Sequence, residues 1–181
     1  AALHYLGKPA YSNNAADYNA AYDMLKKVRP DIKRFNSGGQ IEDLASGGVC
    51  VAYGWAGDFN LARKRSIENK SEQNIVALVP KTGGLKFMDT MAIPVDAPHP
   101  GNAHKFINYV MRPEVVAAIT NTVTYANPNK AATQFVDPEI KNNKSIFLSD
   151  ADIAKLVPTD TVHNKTGRNM TRFYTRFKTG V

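Results

Sequence analysis

The chain has 181 residues, of which 43% are hydrophobic and 22% charged, a composition that fits one large globular domain or two smaller lobes. No apolar run approaches the roughly 20 residues that a membrane-spanning helix needs, and the opening AALHYLGKPAYS has no signal-peptide pattern. The formal net charge of +7 invites a nucleic-acid interpretation. The basic residues are scattered, however, and no recognition-helix, zinc-ligand or RNA-binding pattern accompanies them, so a solvated basic surface explains the charge better.

Helical and strand patterns alternate along the chain. Apolar spacing and turn residues predict, in order, helix 18–28, strand 32–35, helix 39–46, strand 49–53, helix 59–68, strands 75–80 and 85–93, helices 102–111, 114–122 and 150–156, and a basic helix 167–178. Strands that alternate with helices are typical of an α/β fold with a largely parallel sheet. The continuous apolar run 49–53 is of the kind buried on both faces of such a sheet.

The single cysteine, Cys50, lies inside this apolar run. We expect it to be a small buried hydrophobic residue. In an exported protein, an odd cysteine would instead suggest a partner elsewhere.

Motifs for catalysis are absent from the sequence. It contains no GxSxG, HExxH, CxxC or P-loop pattern, and its histidines are isolated from one another and from carboxylates at ligand spacing. Gly54 and Gly57 form only a fragment of a dinucleotide-binding motif. The sequence therefore predicts no catalytic residue, no metal site and no cofactor.

Aromatic and acidic residues instead recur together at the ends of predicted elements. Trp55 and Asp58 follow the strand 49–53, Phe87 and Asp89 lie two residues apart on the strand 85–93, and Tyr125 follows the helix 114–122. Ligands of open α/β sheets bind at the carboxyl ends of strands. Aromatic faces attract cations and carboxylates accept charged hydrogen bonds from ammonium groups. An organic-cation site is one interpretation, and ordinary core and rim residues are the other.

Four segments of the sequence resemble one known family. They are GGVCVAYGWAGD at 47–58, KFMDTMAIPVDA at 86–97, FINYVMRPEVVA at 106–117 and YANPNKAA at 125–132. Together they are similar to the periplasmic polyamine-binding proteins, the substrate-binding components of ABC importers for putrescine and spermidine. The similarity runs through nearly the whole chain in the same order.

The resemblance implies a ligand set. By analogy with the family, Trp55 packs along the methylene chain of the polyamine and Asp58 binds one ammonium group. Phe87 and Asp89 supply a second wall and a second carboxylate, and Tyr125 completes the site. The glycines beside Trp55 are expected to leave room for the ligand. The GWAGD form with Phe87 favours putrescine, with spermidine as a near alternative.

The resemblance also implies a type II periplasmic-binding-protein fold, in which two lobes joined by crossover strands close on the ligand. Family members are about twice as long, so this chain is expected to cover roughly the C-terminal half. Residues 1–86 are expected in the second lobe, 87–136 in part of the first lobe and 137–181 in the second lobe again. The N-terminal half would then be a partner of this chain, covering the apolar faces of the helices near 102–122, and Cys50 could have its disulfide partner there.

The implied function is transport rather than catalysis. The protein would be periplasmic, its signal peptide outside this chain, and its partners would be a polyamine and a membrane ABC permease but no nucleic acid. An enzyme of a related two-lobed fold acting on a small cationic metabolite is the alternative, followed by a basic nucleic-acid-binding protein.

Overall fold

The computed structural model of the chain describes residues 1–180. The chain forms two compact units. Unit 1 contains Ala1–Ser37, Pro80–Phe87 and residues 150–180, and unit 2 contains Gly38–Val79 and Met88–Ser149. Each unit is therefore assembled from segments that are distant in the sequence.

Helices make up most of the regular structure. They are α1 (Ala2–Tyr5), α2 (Ala15–Lys26), α3 (Gln40–Ala45), α4 (Ala56–Glu68), α5 (Pro100–Val110), α6 (Pro113–Val123), α7 (Pro138–Lys141), α8 (Asp150–Ile153) and α9 (Asn164–Thr179). Short 3₁₀ segments cover Arg29–Asp31 and Lys130–Gln134. Two short strands, β1 (Leu85–Lys86) and β2 (Val157–Pro158), pair in parallel with Leu85 opposite Val157.

Unit 1 is held together by aromatic packing between α2 and α9. The ring of Tyr18 on α2 lies 6.1 Å from that of Phe173 on α9, and the guanidinium of Arg176 lies 3.8 Å from the ring centre of Tyr22. The side chain of Arg29 donates hydrogen bonds of 3.0 and 2.9 Å to the carbonyls of Phe177 and Lys178. These bonds satisfy carbonyls that the last turn of a helix leaves without partners.

Unit 2 has two packing centres. Helices α3 and α4 pack together around Ala45 and Ala62, which are both buried. Helix α6 packs on the 3₁₀ segment Lys130–Gln134 through a small buried cluster of Ala117, Ala132 and Val136. Alanines at these contacts let the backbones approach closely.

The predicted helices are confirmed, with moved boundaries at several ends. Helix α4 begins at Ala56, three residues before the predicted start at Phe59, and α9 begins at Asn164. The earlier start of α4 has a consequence for function, because it brings Asp58 into the first helical turn. A carboxylate there interacts favourably with the positive end of the helix dipole.

The predicted strands differ most from the structure. Of the residues 85–93 only Leu85 and Lys86 form a strand, and the strands predicted at 32–35, 49–53 and 75–80 are wrong for the described residues. A strand requires ladder hydrogen bonds to a neighbour, which an apolar sequence run cannot guarantee. The side chains of Val51 and Leu78 are accordingly 86% and 78% exposed. Cys50 is an exposed free thiol rather than the buried residue that we expected.

Candidate functional site

The carboxylate of Asp58 is the centre of a hydrogen-bonded cluster within unit 2. Its Oδ1 atom accepts a hydrogen bond of 2.8 Å from the hydroxyl of Tyr125. Its Oδ2 atom accepts one of 2.7 Å from Nε2 of Gln40, the first residue of α3. Both donors are neutral, so they orient the carboxylate without bringing a formal positive charge to it. Acceptors of this kind form strong hydrogen bonds with cations.

Tyr125 is positioned by the end of α6. Thr124 adopts a left-handed conformation, with φ of 58°, and terminates the helix. Its buried hydroxyl lies 2.8 Å from the carbonyl of Gly57 in α4 and 2.7 Å from that of Val123, so its one proton is shared between these two acceptors. The contact with Gly57 joins the end of α6 to the start of α4, and thereby places Tyr125 next to Asp58.

Gly57 makes a close contact that the sequence did not reveal. We expected the glycines beside Trp55 to leave room for a ligand. In the structure, a Cβ atom on Gly57 would overlap the ring carbons of Tyr125. The missing side chain therefore admits the Tyr125 ring, which brings its hydroxyl within hydrogen-bonding distance of Asp58.

The phenol of Tyr125 is held in its protonated form. Burial raises its pKa above the ordinary tyrosine value, and the hydrogen bond to Asp58 and the negative charge of that carboxylate raise the pKa further. Asp89 adds a smaller contribution of the same sign to the Tyr125 pKa, so its charge acts on the same cluster. Tyr125 is therefore a hydrogen-bond donor to Asp58 throughout the neutral range.

The other predicted site residues lie at the surface. Trp55 directly precedes α4 with an extended backbone and a partly exposed side chain. Asp89 is exposed in unit 2, and Phe87 is a partly exposed residue of unit 1. Of the five predicted residues, the structure thus joins Asp58 to Tyr125 by a direct hydrogen bond and links Asp89 to them through its charge.

Gln40 was missed by the sequence analysis. It was recognised only as part of a short predicted helix, and no motif or spacing connects it with Asp58, 18 residues later. The packing of α3 on α4 brings the two together. Only knowledge of that tertiary contact could have identified Gln40.

Metal binding has no visible basis at this cluster. In the part of the chain that the structure describes, His, Cys, Asp and Glu side chains form no group of three that could hold a metal ion. What the arrangement offers is an oriented carboxylate with the phenol of Tyr125 bonded to it and Trp55 three residues before it in the sequence. Such a group can accept charged hydrogen bonds from an organic cation.

Comparison with known proteins identifies the family. The family model of the bacterial extracellular solute-binding proteins matches residues 1–147. The chain belongs to this family, as the four sequence segments predicted.

Over residues 1–180 the structure has no helix with both the length and the apolar character needed to cross a bilayer.

Several curated relatives resemble nearly the whole chain. The putrescine-binding periplasmic protein PotF of Escherichia coli (strain K12) is 44% identical over 180 residues, which are 98% of this chain and 48% of the relative. The putrescine-binding periplasmic protein SpuD of Pseudomonas aeruginosa (strain UCBPP-PA14) is 39% identical, covering 99% of this chain and 49% of the relative. A spermidine/putrescine-binding periplasmic protein of Salmonella typhimurium is 34% identical over 153 residues, which are 83% of this chain and 42% of the relative. The chain thus spans about half the length of the relatives that it matches, and their names are those of binding proteins rather than enzymes.

Proposed function

We propose that the protein is the periplasmic substrate-binding component of a polyamine ABC importer, with putrescine or spermidine as its ligand. The observation that carries the proposal is the Asp58 carboxylate, held by two neutral donors that bring no formal positive charge to it. A binding site for an ammonium group needs such an acceptor. The relatives, which are named as periplasmic proteins that bind putrescine or spermidine, support the same ligand class.

The ligand would be recognised by charge at its ends and by aromatic surface along its length. Asp58 binds one ammonium group and Asp89 another, and the negative charge of Asp89 already reaches Tyr125 beside Asp58. Trp55 and Phe87, both partly exposed, pack against the methylene chain. Tyr125 keeps the Asp58 carboxylate in position. Two carboxylates with an apolar wall between them would match a linear diamine.

The site would lie in a cleft between two lobes that crossover strands connect. In this proposal residues 1–86 and 137–181 belong to the second lobe and residues 87–136 to part of the first. A protein as long as the relatives would contain another half, which we propose as a partner of this chain. The other proposed partner is a membrane permease that receives the ligand. Nucleic acid is not among the partners.

Exposed apolar surface supports the proposal that another half of the protein packs against this chain. Phe106 and Tyr109 on α5, and Ile119 and Val123 on α6, are exposed in the described chain. Contiguous apolar side chains on adjacent helices usually mark a surface that another segment covers. The exposed apolar runs 49–53 and 75–80 would find ladder partners in the same way.

Calorimetric titration of the intact protein tests the proposed function. Putrescine, cadaverine, spermidine and spermine are titrated separately, and at least one is expected to bind with a stoichiometry of one. Incubation of the protein with the same polyamines is expected to leave them chemically unchanged by mass spectrometry. Absence of binding by all four, or turnover of any of them, would refute the proposal.

A further inference from the structure

Of the two polar atoms in the side-chain amide of Gln40, one has a hydrogen-bond partner and the other has none in the described part of the chain. Its Nε2 atom donates to Asp58 Oδ2 at 2.7 Å. Its Oε1 atom is buried and finds no donor among residues 1–180. A flipped amide would point this oxygen at the carboxylate of Asp58, so the hydrogen bond fixes which end is the acceptor. A buried acceptor without a partner costs about 1–3 kcal/mol, and such an atom within a cluster of polar residues calls for an explanation.

The surroundings of Gln40 hold its amide in place. The side chain begins at the first turn of α3, which packs on α4. The backbone at Gly54 lies against the amide, since a Cβ atom there would be 3.6 Å from Nε2. Rotation of the amide would break the bond from Nε2 to Asp58, so this bond fixes the position of the oxygen as well.

We propose that Gln40 is a ligand-binding residue whose Oε1 atom accepts a hydrogen bond from the same ammonium group that Asp58 binds. This inference rests on the proposed function and adds a residue to its site. A primary ammonium group carries three N–H donors. Each Asp58 oxygen already accepts one hydrogen bond from the protein. The amide oxygen of Gln40 provides an acceptor for a second N–H of the ligand. The same hydrogen bond gives this oxygen the partner that it otherwise lacks.

The consequence is selectivity for primary ammonium ends. A tertiary ammonium, with two methyl groups on the nitrogen, keeps only one N–H, which Asp58 alone can accept. The second acceptor therefore contributes to the binding of putrescine and contributes nothing to the binding of N,N,N′,N′-tetramethylputrescine. Gln40 would be one determinant of this preference.

The test compares two ligands on two variants of the intact protein. Gln40→Met removes the acceptor and the donor at nearly constant volume. Gln134→Met is the matched control, since Gln134 is an exposed glutamine of the same unit that bonds only locally to the carbonyl of Ala131. Gln40→Met is expected to weaken putrescine binding about tenfold or more and tetramethylputrescine binding clearly less. Gln134→Met is expected to bind both like the parent.

A conservative variant tests the acceptor separately. In Gln40→Glu the introduced carboxyl group lies beside Asp58, and this like charge favours its protonated form. At pH 5 the protonated group can donate to Asp58 and accept from the ligand, as the amide does. Putrescine binding at pH 5 is therefore expected to return to near the parental level at that pH.

Three results would overturn the inference. Putrescine binding unchanged in Gln40→Met would remove Gln40 from the site. Equal losses for both ligands, or Gln40→Glu at pH 5 binding as weakly as Gln40→Met, would mean that Gln40 acts only through Asp58. In each case the parent still binds putrescine, which distinguishes these failures from a failure of the proposed function. A parent that binds no polyamine would overturn both.

Discussion

Single residues decide how Asp58 is presented. Tyr125 reaches the carboxylate because Gly57 has no side chain, and Thr124 fixes the turn that carries Tyr125 by bonding to the same glycine. The packing of the Tyr125 ring, the bond from Thr124 and the bond from Tyr125 to Asp58 thus all depend on Gly57. Changes there are expected to affect stability and ligand binding together.

Replacing Gly57 by alanine is expected to destabilise the protein. Alanine favours a helix over glycine by about 0.5–1 kcal/mol, whereas forcing a methyl group into a packed contact typically costs about 1–3 kcal/mol. The overlap with the Tyr125 ring makes the second effect the larger one. The free energy of unfolding, measured by urea denaturation, should therefore fall.

Gly101→Ala is the matched control for this substitution. Gly101 is the second residue of α5, as Gly57 is of α4, and an added Cβ atom there meets nothing within 4 Å. Gly101→Ala should leave stability unchanged or slightly raised. A Gly57→Ala protein as stable as Gly101→Ala would contradict the packing of Tyr125 on Gly57.

The hydroxyl of Tyr125 is expected to stabilise the fold in a pH-dependent way. Tyr125→Phe removes a hydrogen bond to a carboxylate, for which a loss of about 1.5–3 kcal/mol is typical. The folded-state pKa of Tyr125 lies above its unfolded value of about 10. The contribution of the hydroxyl is therefore complete below pH 10 and decreases as the pH rises above it.

Urea denaturation at pH 8 and at pH 11 checks this prediction. The difference in stability between the parent and Tyr125→Phe should be smaller at pH 11. Tyr5→Phe, at an exposed tyrosine, serves as the control and should change little at either pH. A difference that grows with pH would mean that Tyr125 is not held in its protonated form.

At the scale of elements, Asn60 ties α4 to the segment after α7. Asn60 is buried, and its Oδ1 atom accepts hydrogen bonds of 2.9 Å from Nδ2 of Asn143 and 3.0 Å from the hydroxyl of Ser145. Its Nδ2 atom donates to the carbonyl of Ala56, 3.0 Å away in the first turn of α4. The amide therefore stabilises the start of the helix that carries Asp58.

Asn60→Ala is expected to lower the free energy of unfolding by about 1–3 kcal/mol, because it removes a buried amide together with its hydrogen bonds to the half-buried Asn143 and Ser145 side chains. Thermal and urea denaturation of the intact protein measure the effect. Asn102→Ala, at an exposed asparagine of α5, is the control and should cost at most about 0.5 kcal/mol. Equal effects of the two substitutions would show that the Asn60 network contributes nothing to stability.

Helices were predictable from the sequence, and strands were not. The apolar spacing of α2, α5 and α6 and the prolines at the first turns of α5 and α6 are local signals, which sufficed to locate these helices. The run 49–53 has the composition of a buried strand, but its structure depends on hydrogen-bond partners that no local pattern specifies. Gln40 was unpredictable for the same reason, since its role depends on a contact between two helices.

At the scale of the whole molecule, the exposed faces of α5 and α6 can be used to test the proposal that another half of the protein covers them. Phe106 is 61% exposed in the described chain. If the surface is free, Phe106→Ser should change the stability of the intact protein by no more than about 0.5 kcal/mol. If another segment covers it, as we propose, the loss should reach about 2 kcal/mol or more.

Ile67→Ser is the control for this comparison, because Ile67 is 65% exposed and lies on α4 rather than on α5 or α6. It should cost much less than Phe106→Ser. Phe106→Ser without effect in the intact protein would contradict the proposal that the remaining half covers these helices.

The central claim is that Asp58 binds an ammonium group of a polyamine, and calorimetric titration of the intact protein with putrescine tests it most directly. Asp58→Asn keeps the shape of the side chain and removes its charge, and a lost charged hydrogen bond typically costs about 1.5–3 kcal/mol. The account predicts that putrescine binds the parent with a stoichiometry of one and binds Asp58→Asn at least tenfold more weakly. Asp23→Asn, at an exposed carboxylate on α2, should bind like the parent. Equal putrescine affinities of Asp58→Asn and the parent, or no binding by the parent, would contradict the account.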